Sequence, residues 1–216
     1  MGFLKKFTKQ EISWMMYDWA NSAHSVIVVT ILPIFFDSVA SCTADSVSSM
    51  STWGYATSIA MAIVALAAPF LGVFGDIRGM RKKLFTAFLL LGVVSVAGLA
   101  FTPLMDFASS TAAAGKVAML VLVLYILSTI GFDASCIYYD AFLTDVTTED
   151  RMDSVSTLGY GLGYIGGSTI PLLIFLIMNA VGVPMLTSLA IIFAITAVWW
   201  LVFSLPLLKN CEQTTG

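Results

Sequence analysis

YDWANSAHSVIVVTILPIFF, residues 17–36, sets an acid, an amide and the chain's single histidine directly before a long apolar run. The fold turns on whether that run crosses a membrane. Hydrophobic residues make up 59% of the sequence and charged ones 11%, against roughly a quarter charged in a soluble domain. A water-soluble domain of this length cannot hide so much apolar surface, so the run reads as one span of a polytopic membrane protein. Windows of roughly 20 apolar residues recur at about 12–36, 50–74, 83–104, 116–142, 155–181 and 184–208. Lipid offers no partner for open backbone groups, and the short alternating strands of a β-barrel are absent from the pattern. The expectation is an all-α fold: one domain of six transmembrane helices over residues 1–216, with a tail at 209–216.

Basic residues orient it. Lys5, Lys6 and Lys9 precede the first span; Arg78, Arg81, Lys82 and Lys83 lie between the second and third; Arg151 and Lys209 fall on the same side, and Lys116 alone on the other. The positive-inside rule then places both termini in the cytoplasm, in a plasma (inner) membrane. The stretch Lys5 to Cys42 can be forced into a signal peptide, but its apolar region is too long and carries Asp18 and Asn21. The cysteines (Cys42, Cys136, Cys211) lack metal spacing, and there is no strand-plus-glycine-loop signature for a nucleotide. No cofactor, metal or nucleic acid is expected.

Polar groups inside apolar helices need a reason, since a charge near mid-membrane costs on the order of 2.5–3.5 kcal/mol. At 100° per residue Asp18, Asn21, Ser22 and Ser25 share about a third of the first helix's circumference, with Tyr17 and His24 on an adjoining face. The bland alternative is interfacial trim, with Tyr17 and Trp19 in an aromatic belt. Asp is too short to snorkel far, which favours a solute pathway through Asp18, Asn21, Ser25 and, off the stripe, His24. In the fourth span Thr129, Asp133, Cys136, Asp140 and Thr144 share a face, and no Lys or Arg inside any span neutralises Asp133. A buried carboxylate without a cation suits proton uptake and release; the alternative is a protonated Asp133 that serves helix packing. Asp18 and Asp140 should lie at similar depth, because their helices run in opposite directions. In the fifth span Gly159, Gly163 and Gly167 are spaced by four with Gly166 beside them, a small-residue surface for close helix approach, static or sliding.

The loop GVFGDIRGMRKKL, residues 72–84, is a tight glycine turn with basic charge, and Asp76 within it can pair with a nearby Arg or cap a helix. It resembles the signature between helices two and three of the major facilitator superfamily, G-x-x-x-D-x-x-G-x-R-K, through Gly72, Asp76, Gly79, Arg81 and Lys82; Met80 departs, since many members carry a basic residue there. Two further stretches, YDWANSAH at 17–24 and YYDAFLTDV with RMDSVSTLGYGLGYIGG over 138–167, are similar to signatures of the vacuole-effluxer (autophagy-related permease) branch. Tyr17, Asp18, Asn21, Tyr139, Arg151, Gly159, Gly163, Gly166 and Gly167 are among the matching residues, and Asn is frequent where Asp140 stands.

The resemblance covers nearly the whole chain at the level of that family's N-terminal half. It implies a transporter of amino acids or other small solutes, often by efflux, with Tyr139 in the pathway and a latch loop that holds two halves together, to which Arg151 is joined; Asp140 is a pathway candidate by its depth, which makes a polar cavity shared with Asp18 geometrically possible. Such transporters have two six-helix halves with the site between them, so the resemblance also implies a second half, a homodimer mate or a sister chain. The competing readings are a non-transporting membrane interaction subunit and a transporter remnant. An enzyme is disfavoured, because one histidine without a metal cluster or a nucleophile–base spacing leaves little chemistry to run.

Overall fold

The described residues form six helices long and apolar enough to cross a membrane: α1 (Lys9–Ala40), α2 (Ser49–Asp76), α3 (Arg81–Leu104), α4 (Thr111–Val146), α5 (Glu149–Ala180) and α6 (Met185–Asn210). They come from a computed structural model that describes residues 6–43 and 49–214; Lys5 and the last two residues of the tail lie outside the described residues. There is no strand among them.

α1 and α4 begin ahead of their apolar windows, where polar side chains cap them. Thr8 and Glu11 form a reciprocal capping box at the start of α1, and Ser110 accepts from Ala113 N at the start of α4. The turns before α3 and α6 are made by Gly79 and Gly182, at φ 78° and 86°, a left-handed backbone in which a Cβ would be strained.

Two helices contain a π-helical turn, Ile27–Ile31 in α1 and Gly163–Ser168 in α5. Each lies just ahead of a proline, Pro33 and Pro171. Proline donates no backbone N–H and its ring crowds the carbonyl four residues back. A wider turn accommodates that conflict without breaking the helix.

The helix α1 is the hub, packed against α4, α5 and α6, while α4 packs against α2 and α3. Accordingly 56% of the central window of α1 is buried and only 11% of that of α2. Trp200, Tyr17, Tyr138, Phe85, Phe142 and Phe193 fill the core. Lipid is as apolar as a leucine side chain, so close packing rather than escape from water holds these helices together. One close crossing is Gly92 of α3 on Gly131 of α4, where a Cβ on Gly131 would lie 2.7 Å from Gly92 Cα.

Candidate functional site

A cavity of about 900 Å³ opens between α1, α4 and α5. The stripe on α1 supplies Asp18, Asn21, Ser22 and Ser25, and α4 supplies Cys136, Tyr139 and Asp140. These residues meet because the stripe on α1 recurs with the helical repeat and α4 runs past it in the opposite direction. Tyr139 donates its hydroxyl to Asp18 Oδ2 at 2.9 Å. Trp14 stacks on the Tyr139 ring at 4.3 Å and donates its indole N–H to the Tyr139 carbonyl at 2.8 Å, which fixes that hydroxyl's position. Asn21 Nδ2 points at Cys136 Sγ, 3.7 Å away. On the α5 side stand Tyr160 and Tyr164, their hydroxyls 3.1 Å apart and both largely exposed. None of the residues lining the cavity is basic.

Two of the expected pathway residues are elsewhere. His24 is buried between Ser128, Phe132 and Trp200, its Nε2 3.3 Å from Ser128 Oγ and its ring stacked on Phe132. Tyr17 keeps it company on that face, its hydroxyl 2.7 Å from Ser135 Oγ and accepting from Trp200 Nε1. Asp133 is not among the cavity-lining residues either, and its Oδ2 is buried without a hydrogen-bond partner among the described residues. Helical periodicity groups Asp133 with Asp140 on one face of α4; the two lie about two turns apart along the axis, and only the latter reaches the cavity.

The glycines of α5 meet α1 directly. A Cβ on Gly163 would sit 2.7 Å from Ser22 Oγ, and one on Gly159 3.0 Å from Asp18 Oδ2. Gly166 lies under the Trp19 ring, and Gly167 against the Trp19 carbonyl. The cavity wall is therefore as close as two backbones allow.

The 72–84 loop lies at the end of the bundle that carries most of the basic residues. Arg81 is buried and paired with Asp145 at the end of α4; it also reaches the Ala141 carbonyl at 3.1 Å and the exposed Asp76 at 3.4 Å. Gly72 has open space around it. Lys82 donates to the Cys211 carbonyl at 3.1 Å. Gln213 straps the loop, accepting from the backbone N–H of Gly79 and of Arg81 and donating to the Gly75 carbonyl. Arg151 stands apart from this cluster. Its guanidinium grips Glu11 on α1 at 2.9 and 2.8 Å, and Thr147 donates to the same carboxylate at 2.7 Å.

Sequence reasoning missed Glu11, Trp14, Asp145 and Gln213. Only Glu11 leaves a signal, the Thr-x-x-Glu spacing of a capping box at Thr8. The other three act through contacts between residues far apart in the chain.

The family described as "Vacuole effluxer Atg22 like" matches residues 7–215. The chain is 42% identical over 218 residues to a Bacillus subtilis (strain 168) protein named as the uncharacterized MFS-type transporter YxiO. That alignment covers 97% of this chain and 48% of the relative, so the chain spans about half the length of the curated relative it matches. No solved structure matches it.

Proposed function

From the premise that the chain belongs to the Atg22-like vacuole effluxer family, we propose that it forms one six-helix half of a secondary transporter. It moves a small solute, an amino acid or related metabolite, by alternating access coupled to protons. The observation that carries this reading is the cavity: Asp18, Asn21, Tyr139 and Asp140 converge from α1 and α4 on a space of about 900 Å³ in an apolar bundle. Polar convergence of this kind in a membrane marks a solute or ion path. Asp18 is the coupling group, since it faces the cavity and its charge is met there by a hydroxyl rather than a cation. Asp133 is a second proton site outside the cavity.

The need for a second half is supported by the bare faces. Phe70, Leu66 and Val73 of α2 are about two-thirds or more exposed, and among the described residues the cavity is lined by α1, α4 and α5 alone. The strapped 72–84 loop lies where such a half would meet it. The basic end faces the cytoplasm of a plasma (inner) membrane. A non-transporting interaction subunit is the second reading, favoured by that same apolar α2 face.

Vesicles containing the purified chain and a pH-sensitive dye, given a proton gradient and a panel of amino acids and amines, provide the test. Solute-dependent proton movement is expected, lost in Asp18→Asn. Coupling through Asp18 is wrong if that variant moves protons as well as the unmodified chain does, and Asp133→Asn tests the second proton site in the same way. A chain that forms a stable complex with another membrane protein and moves no solute in any gradient fits the second reading.

A further inference from the structure

We propose that the wall contributed by this chain recognises an organic ammonium, the protonated amine of its solute. The proposal rests on the transporter reading for its biological use and on the cavity for its chemistry. The cavity carries two carboxylates and, among the residues that line it, no basic group to meet their charge.

Asp18 and Asp140 both open onto it, and no Lys, Arg or His lines it. Asp18 has one hydroxyl partner, Tyr139, and Asp140 has no hydrogen bond or ion pair among the described residues. Asn21 is 6% exposed and lines the cavity, yet its amide oxygen accepts from no donor among the described residues; its amide nitrogen points only at the Cys136 sulfur, 3.7 Å away. That oxygen keeps access to the cavity, so a bound donor can satisfy it.

Three solute chemistries can be weighed against that set. A carboxylate would meet two like charges. A neutral alcohol would satisfy one acceptor and leave the charges unpaired. An ammonium brings three N–H donors and one positive charge, which suits a wall that offers two carboxylates and an amide oxygen. The aromatic rings of Trp14, Tyr139, Tyr160 and Tyr164 line the same space, and ring faces attract a desolvated cation. When no ammonium is present, protons are the remaining means of neutralising the two carboxylates. Ammonium and proton are therefore alternatives at one site, which makes the solute's arrival release a proton.

Three matched probes separate these possibilities: phenethylamine, phenethyl alcohol and phenylacetate share a ring and a chain and differ at the end group. Titrated calorimetrically against the purified full chain, the amine should bind saturably and at least about tenfold tighter than either isostere. Asp18→Asn and Asp140→Asn should each weaken the amine by roughly tenfold and leave the alcohol unchanged, while Asp18→Glu retains binding. The comparison of isosteres uses the unmodified protein, so it stands even if a variant does not fold. The proposal is overturned by acid or alcohol binding as tight as the amine, by no saturable amine binding, or by folded Asp→Asn variants that bind the amine normally. Amine binding without proton-driven flux in vesicles would remove the transport reading and leave the recognition intact. Flux of another solute without amine binding would do the opposite.

Discussion

Replacing Arg151 by alanine tests the clamp that joins the first turn of α5 to the start of α1. Glu11 is 2% exposed at its side chain and accepts four hydrogen bonds: from Thr8 N at 2.7 Å, Thr147 Oγ1 at 2.7 Å, and Arg151 at 2.9 and 2.8 Å. Arg151→Ala removes two of the four and the only positive charge paired with Glu11 among the described residues. Breaking a fully buried ion pair from one side costs about 3–5 kcal/mol, because the remaining charge stays buried. The Arg151 side chain is 39% exposed, so water entering its place rehydrates Glu11 in part, and the expected loss falls to about 2–3 kcal/mol.

Arg151→Lys keeps the charge but not the two-pronged grip and should lose about 1 kcal/mol. Glu11→Gln combined with Arg151→Ala should cost less than the two single losses added, by about 1–2 kcal/mol, because each residue's main partner has already gone. Unfolding of the purified chain in mixed micelles by titration with a denaturing detergent measures these differences. An Arg151→Ala variant within about 0.5 kcal/mol of the unmodified chain, or a strictly additive double variant, would refute the account.

Gly167→Ala places a methyl against the Trp19 carbonyl and 2.9 Å from Ser22 Cβ, so α5 must move off α1; a loss of about 1–3 kcal/mol is expected in the same titration. Gly161→Ala, on the same helix with nothing within 4 Å, is the control and should be neutral or stabilising. Cys211, just beyond α6, is fully buried, and burial pushes its thiol up to about 12 despite Lys82 nearby. The reactive thiolate therefore forms only as pH rises towards that value. A maleimide at pH 8 should modify the partly exposed Cys42 and leave Cys211 until the chain unfolds. Equal labelling rates would contradict this burial.

Helix number and the polar stripe on α1 were legible because both depend on neighbours in sequence. Twenty apolar residues span a bilayer wherever they occur, and Asp18, Asn21 and Ser25 fall on one face by the helical repeat alone. The same periodicity grouped Asp133 with Asp140 and left open which of them meets α1. It also marked His24 as a candidate for the pathway, since a polar ring in an apolar helix looks alike whether it faces a cavity or the core. Trp200, from the last helix, is what holds it in the core.

The sequence by itself determined a membrane-spanning six-helix protein of recognisable family, a basic end, a glycine face on α5 and a polar stripe on α1. Tertiary structure decided which polar groups share a space. Asp18, Asn21 and Asp140 open onto one cavity because Gly163 and Gly167 let α5 close on α1 while α4 runs antiparallel beside it. It also decided that Arg81 pairs with Asp145 and Arg151 with Glu11. These pairings join residues 64 and 140 positions apart. Helical periodicity fixes direction around an axis but carries no information on which axis lies next to it, and packing alone supplies that.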